Sequence, residues 1–330
     1  MHGWIVIDKP VGPGSTQIVS AVKRALREGG YAKVKVGHGG TLDPLASGVL
    51  PVALGEATKL AGRMLDADKV YEFTIRFGEE TSTLDAEGEV VARSDVRPTL
   101  AEVEAVLGRF TGAIEQVPPA YSALKVGGKR AYDLARAGET VELKSRSVTV
   151  YSLAASPELV EGRVTRSDAG EANEASTGSA LAGVDSSPPH SASPLSEITL
   201  TARVSKGTYI RSLARDIAYA LETVGSVTML RRTKAGPFTL DKAISLDNLG
   251  ERAKARSLEQ ALLPLAAGLD DIPALPVTPD QARLLRMGQK AIGIAAKPGL
   301  HLATDRSVPV ALVELSEGEL RVVRGFNLVT

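Results

Sequence analysis

The sequence predicts an α+β protein, with a largely antiparallel central sheet, flanking helices and a small, mostly β tail. Three observations carry this expectation. Strand-like runs are often joined by short turns, amphipathic helical runs fall between them without a βαβ rhythm, and the last fifty or so residues are short strands broken by Gly, Pro and Asp.

The elements follow in chain order. "GWIVID" reads as a strand, and "STQIVSAVKRAL" as a helix with Ile18, Val19, Val22 and Leu26 at helical spacing and Ser15 or Thr16 as the expected N-cap. "EATKLAGRMLD" is a short helix. "VYEFTIRFG" alternates, placing Tyr71, Phe73, Ile75 and Phe77 on one face and Glu72, Thr74 and Arg76 on the other. "TLAEVEAVLGRF" is a helix opened by Pro98 and Thr99. "SVTVYSL" and "EITLTARV" are strands expected to be neighbours in a sheet. "KGTYIRSLARDIAYALE" is a helix start followed by an amphipathic helix with Ile210, Leu213, Ala214, Ile217 and Leu221 as its buried stripe. "GLDDIPALPVTP" reads as a linker, and "TPDQARLLRMG" as the helix that opens the tail.

Between the two neighbouring strands, residues 155–197 differ in kind. They are rich in Ser, Ala, Gly and acids, lack aromatics and include "SSPPHSASP". Such a composition cannot bury enough apolar area to offset the entropy of ordering, so a disordered insertion is expected. It carries seven acids against Arg163 and Arg166, a net of −5 in a chain of net zero, which leaves +5 on the rest. Seven bases fall within 203–234 (Arg203, Lys206, Arg211, Arg215, Arg231, Arg232 and Lys234) against Asp216 and Glu222. A local basic stripe of this kind suits a polyanionic partner better than the overall charge does.

Composition excludes several classes of chemistry. With no cysteine in the chain, disulfides, thiolate catalysis and Cys-ligated metal centres are ruled out. The four histidines (His2, His38, His190 and His301) lack ligand spacing. The opening "MHGWIVIDKP" meets Asp8 too early for a signal peptide, and no run approaches the ~20 apolar residues of a membrane span. A cytoplasmic protein without metal or other cofactor is the expectation. A phosphate-cradling Gly-x4-Gly-Lys-Ser/Thr string and a G-x-S-x-G nucleophile elbow are both absent.

The stretch that asks for an explanation is "GHGGTLDPLASG", residues 37–48. Gly37, Gly39, Gly40 and Gly48 permit positive φ or close backbone approach, and Pro44 pushes Asp43 toward extended dihedrals. The result is a rigid loop presenting one carboxylate. An Asx-type turn would use the same residues, so the residues alone leave structure and catalysis both open. His38 as a structural hydrogen-bonder, Tyr71 as core, Arg211 as a solvated helix arginine, and Lys9 and Lys59 as surface lysines are the plain alternatives.

Four blocks, "GHGGTLDPLASGVLPVALGEATK", "VPPAYSALKVGGKRAY", "SKGTYIRSLARD" and "MLRR", stand in order and together resemble the bacterial tRNA pseudouridine-55 synthases, the TruB family. The resemblance implies a catalytic domain over 1–250, interrupted by the insertion at 155–197, which has no counterpart in the family pattern. A linker over 251–274 and a small PUA-like RNA-binding domain over 275–330 complete the expected organisation. At the N-terminus, "DKPVGPGSTQ" departs from the family by an intervening Pro13-Gly14. The implied reaction is isomerisation of one uridine of the tRNA T-loop: the N1–C1′ bond breaks, uracil turns, and C5 bonds to C1′. No atom is gained, so no cofactor is called for. The family's essential aspartate falls on Asp43, its arginine partner on Arg211, and the tyrosine against the target uracil on Tyr71. Tyr209 and Leu230 fall on positions lining the uracil pocket, His38 on a contact to the opened tRNA loop, and Lys9 and Lys59 on RNA-binding positions. Lys125, Lys129, Arg130, Lys206, Arg231 and Arg232 are candidates for phosphate contacts. The expected partner is the T-arm of tRNA, met by a monomer with no obligate protein partner.

Other classes remain in view. An RNA-folding chaperone would use the same site for docking alone, yet need not keep Asp43, Tyr71 and Arg211 together. A nucleoside hydrolase would want a second acid near Asp43. A subunit of a guide-RNA particle would suit a long basic tail, which the sequence does not show.

Overall fold

The computed structural model describes residues 1–122, 124–139, 141, 143–156 and 193–328. All but the edges of the expected insertion therefore lies outside the described residues. In chain order the first strands are β1 (Gly3–Lys9), β2 (Val36–His38), β3 (Ala46–Leu54), β4 (Lys69–Phe77), β5 (Glu79–Thr81), β6 (Val90–Arg93) and β7 (Gly112–Gln116). They are followed by β8 (Lys125–Val126), β9 (Lys129–Arg130), β10 (Arg146–Ala155), β11 (Glu197–Val204), β12 (Gly225–Ala235), β13 (Phe238–Thr239) and β14 (Ala243–Ile244). The tail holds β15 (Ala274–Pro276), β16 (Ala291–Ile292), β17 (Gly299–Asp305), β18 (Val308–Ser316) and β19 (Glu319–Gly325). The helices are α1 (Ser15–Glu28), α2 (Ala61–Asp66), α3 (Leu100–Leu107), α4 (Ala131–Arg136), α5 (Ile210–Ala220), α6 (Leu246–Lys254) and α7 (Pro279–Arg286).

One ten-stranded sheet runs β14-β1-β3-β12-β4-β11-β10-β7, with β2 added on β3 and β13 on β12. β1–β3, β2–β3, β7–β10 and β12–β13 pair antiparallel, while β1–β14 and β3–β12 are parallel. This is the α+β arrangement that the turn-rich sequence predicts. A second sheet, β15-β17-β18-β19-β16, forms the tail.

The chain divides into two compact units. The first comprises Met1–Tyr71, Val204–Lys206 and Leu230–Thr330. On one side of its sheet, α1 and α6 bury Ile18, Val22, Leu26, Leu249 and Ala253 against Ile5, Ile7, Leu50 and Val52. Another cluster joins Trp4, Val6 and Val49 to Leu302, Leu312 and Phe326 of the tail. Residues 251–274, expected as a linker, are packed onto the first unit. Leu258, Leu265 and Leu269 are buried, Trp4 exchanges backbone hydrogen bonds with Leu263, and its indole Nε1 donates to the Leu265 carbonyl at 3.1 Å. Apolar spacing every few residues lets this segment lie flat on β1 despite its Gly and Pro.

The second unit comprises Glu72–Arg203 and Gly207–Met229. In it α5 buries Ile210, Leu213, Ala214 and Ile217, as its stripe predicts, and α3 packs against α5 and β10. α3 starts on Thr99, whose hydroxyl accepts from the Glu102 amide. The expected neighbours β10 and β11 do pair in the sheet. Thr74, placed by alternation on the polar face of β4, is buried and shares a hydrogen bond with Thr199 at 2.7 Å, so that face too is covered here.

Candidate active site

The Asp43 loop is held by its backbone. The Ala46 amide donates to the Asp43 carbonyl at 3.1 Å, closing a turn with Pro44 at its second position, where a fixed φ near −65° suits the bend. Gly12 donates to the Pro44 carbonyl at 2.9 Å. Ser15 is not the N-cap of α1; Gly14 is, and the Ser15 hydroxyl instead accepts from the Leu42 amide at 2.8 Å and meets the Leu42 carbonyl at 3.1 Å. Lys9 donates to the carbonyls of Pro10, Pro44 and Ala46 at 2.9, 3.1 and 2.5 Å. Arg232 donates to the carbonyls of Val49, Thr41 and Gly40. The loop is therefore tied on both flanks of the half-buried Asp43, which is what an aimed carboxylate needs and a plain surface turn does not.

Two sequence expectations are corrected here. Lys9 is fully buried, and its three N–H donors are taken by backbone carbonyls, so nothing is left for RNA. Arg232, expected to meet phosphate, is 1 % exposed and is spent on the loop. A charge in a sequence carries no sign of its depth, which is why both read as surface bases. Burial pushes the Lys9 ammonium down to about 8, against the pull of Asp43, with Arg232 adding repulsion.

Two glycines have steric reasons to be glycines. A Cβ on Gly48, at φ +98°, would lie 2.2 Å from the carbonyl oxygen of Arg232, its partner in the β3–β12 ladder. A Cβ on Gly39 would lie 2.7 Å from that of Met64.

The remaining candidates of the first unit surround this loop or stand apart from it. Leu230 lies opposite Ala46 in the parallel register, and Leu230 and Tyr71 both pack on the apolar cluster that contains Leu42 and Ala46. His38 ends β2 opposite Val52. Its Nδ1 is buried without a hydrogen-bond partner, and burial, helped by Arg232, holds the imidazole below its usual range. Lys59 donates to Glu56 Oε2 at 2.7 Å and to the Gly325 carbonyl at 2.9 Å. Arg231 is bound to Asp8, and Lys206 makes an exposed ion pair with Asp66.

In the second unit Arg211 is not a solvated helix arginine. It pairs with Asp85 at 3.1 Å, both side chains under 10 % exposed, and donates to the carbonyls of Thr83 and Tyr121 at 2.8 and 2.9 Å. Sequence reasoning missed Asp85, which sits among Glu79, Glu80, Glu87 and Glu89 with nothing in the sequence to set it apart from them. Tyr209 immediately precedes α5, half-buried. Lys125, Lys129 and Arg130 lie exposed on the β8–β9 hairpin, turned by Gly127 and Gly128 at φ +57° and +86°.

A family model described as "TruB family pseudouridylate synthase (N terminal domain)" matches residues 26–165, and one described as "tRNA pseudouridylate synthase B C-terminal domain" matches 211–270. A protein of Novosphingobium aromaticivorans named tRNA pseudouridine synthase B is 59 % identical over 99 % of this chain and 98 % of its own length. The chain belongs to the TruB family. A second TruB relative, from Zymomonas mobilis and named likewise, is 57 % identical over 99 % of this chain and 96 % of its own. Among solved structures, this TruB-family chain shares its fold with "Structure of H/ACA RNP bound to a substrate RNA containing 2'-deoxyuridine" at 22 % identity and TM-score 0.67, covering 99 % of this chain and 85 % of that one. "Crystal Structure of a Cbf5-Nop10-Gar1 Complex" gives 24 % and 0.65, covering 99 % and 84 %.

Proposed function

We propose that this chain isomerises uridine 55, in the T-loop of tRNA, to pseudouridine, with Asp43 as the catalytic carboxylate. The observation that carries the reading is the half-buried Asp43 on a loop whose backbone is tied by Lys9, Ser15 and Arg232. The C5 proton of uracil leaves, N1 gains a proton, and the C1′ bond moves from N1 to C5, so the atoms balance without a co-reactant. A fixed carboxylate serves each route open to it: attack at C1′, addition at C6, or removal of the C2′ proton.

Tyr71 and Leu230 border the same apolar cluster and supply the uracil-facing surface. The roles of Arg211 as partner of Asp43, and of Tyr209 as a wall of the uracil pocket, rest on the family resemblance. His38, whose imidazole burial holds below its usual range, is assigned to the opened tRNA loop on the family resemblance alone; its buried Nδ1 presents no surface for that contact. The exposed hairpin bases Lys125, Lys129 and Arg130 meet phosphate, whose neutralisation supplies much of the affinity for RNA. Lys59 has a third N–H beyond those given to Glu56 and Gly325 and can spend it on phosphate. The β tail is read as a PUA-like RNA-binding module. Among the described residues no helix is long and apolar enough to cross a membrane. A tRNA substrate supports action in the cytoplasm, and the enzyme is read as a monomer without an obligate protein partner.

Asp43→Asn tests the reading. Asn keeps the shape and the hydrogen bonds of a turn but removes the charge. The expected outcome is unchanged tRNA affinity with single-turnover pseudouridine formation lost by several orders of magnitude. Near-normal conversion by the folded variant would end the proposal.

A further inference from the structure

Gln116 and Arg146 have no part in the reading above, yet both reach for Tyr209. They are opposite one another in the antiparallel β7–β10 register, so their side chains leave the sheet on the same face. Gln116 is 1 % exposed and uses both ends of its amide on one residue. Its Nε2 donates to the Tyr209 carbonyl at 3.0 Å, and its Oε1 accepts from the Tyr209 amide at 2.7 Å. Arg146 lies with its guanidinium carbon 4.7 Å from the centroid of the Tyr209 ring and donates to the carbonyl of Gly207. One backbone residue is thus gripped at two points while its ring is backed by a flat cation.

The site of this grip matters. Tyr209 is the N-cap of α5, with no side-chain hydrogen bond to support the helix start, and Arg211 follows two residues later. Ser212 donates to the Val117 carbonyl at 2.8 Å, and Arg211 to that of Tyr121, so the first turn of α5 is riveted along the segment that begins at Gln116. A buried amide that bonds both the N–H and the C=O of one residue fixes the two peptide groups that flank it, and with them the position of that residue. Merely filling the space would take any side chain of similar volume. A guanidinium over an aromatic ring is attracted by the negative face of the ring and, being planar, defines the ring's orientation.

We infer that Gln116 and Arg146 are positioning residues for Tyr209: the amide sets where its backbone sits, the guanidinium sets the plane of its ring, and together they pre-form the wall that Tyr209 gives to the uracil pocket. The inference rests on the reading of Tyr209 as a wall of the uracil pocket. Pre-formed geometry of this kind accelerates the chemical step without adding to RNA affinity, because the phosphate contacts lie elsewhere.

The test is a double-mutant cycle in the full chain, read as the single-turnover rate of tritium release from a tRNA transcript tritiated at uridine C5, alongside the transcript's Kd. Gln116→Met and Arg146→Met should each slow the step ten-fold or more, with Kd changed less than three-fold. Gln116→Glu, which keeps the acceptor but loses the donor, and Arg146→Lys, which keeps the charge but loses the plane, should fall between wild type and the Met variants. In a Tyr209→Ala background, itself slowed, both Met substitutions should cost less than two-fold further, because what they position is gone. Equal losses in the two backgrounds would overturn the inference while leaving the reading of Tyr209 intact. A Tyr209→Ala protein as fast as wild type would overturn that reading and the inference with it.

Discussion

Lys9 carries a charge with no solvent to stabilise it, and the consequence is a pH dependence of two signs. Its folded value of about 8 lies below the ordinary 10.5. Between these two values the unfolded chain binds more protons than the folded one, so this group makes stability rise with pH from about 8 to 10.5; below 8 it is charged in both states and its contribution is constant. Catalysis should move the other way. Above pH 8 the amine keeps two donors for three carbonyls and loses its charge beside Asp43. Thermal midpoints should therefore show this stabilising contribution over the window in which single-turnover rates fall. Lys9→Met should be slow at every pH and lack that alkaline limb; an unaltered limb in the variant would reassign it. Arg232 makes a parallel case. Arg232→Met removes the donor to the carbonyls of Gly40, Thr41 and Val49, and for the two buried bonds, to Gly40 and Val49, the loss costs about 1–3 kcal/mol each. We expect a lower midpoint and a slower chemical step, with an unchanged slope of log Kd against log salt. A phosphate-binding Arg232 would instead lower that slope by about one.

At the scale of elements, most of what the sequence displays is periodicity, and periodicity was enough for α1, α3, α5, α7 and the β10–β11 pair. It could not show depth or register. Nothing in "MLRR" distinguishes the half-buried Arg231, bound to Asp8, from the buried Arg232 beside it; only the β3–β12 ladder, with Arg232 opposite Gly48, separates them. Nor does spacing connect Asp85 to Arg211 or Gln116 to Arg146, since these pairs are made by turns and by register. The rigid loop around Asp43 was legible because its rigidity is written locally, in glycines and a proline; the role proposed for the carboxylate came from the family resemblance and not from that spacing. The same local logic governs the acidic insertion. The Ser156 amide, just past β10, donates to the Thr199 carbonyl of β11 at 2.9 Å, and that of Leu195 to Pro98 at 2.8 Å, so the edges of the insertion are tied down outside residues 158–194. Replacing residues 158–194 by a short Gly/Ser loop should leave the thermal midpoint and the single-turnover rate near wild type. Removing its acidity should modestly tighten tRNA binding at low salt, an effect that fades as salt screens the repulsion. A large drop in midpoint would mean that the insertion is part of the fold.

At the scale of the molecule, the tail's place in the first unit changes what truncation should do. Read as an independent module after a linker, residues from 273 onward would be removable, with a cost to RNA affinity alone. The structure gives them a share of the core instead. Leu302, Leu312 and Phe326 belong to the cluster of Trp4, Val6 and Val49, each less than 5 % exposed. Polar contacts reinforce the joint: the Asn327 amide donates to Glu56 Oε2 at 2.7 Å, beside the Lys59 contact to Gly325. Burying three such side chains stabilises by about 5–9 kcal/mol as an upper bound, which is comparable to the ~5–15 kcal/mol that holds a typical domain folded. A chain ending at Ile272 should therefore melt far below wild type or fail to fold, beyond any weakening of tRNA binding. Phe326→Ala grades the same effect without deletion. It should cost about 3–5 kcal/mol of stability, yet at a temperature where the variant stays folded its single-turnover rate should match wild type, because Phe326 touches the core under Trp4 and not the Asp43 loop. A truncated protein that melts within a few degrees of the full chain would show that the shared core is not what holds the first unit together.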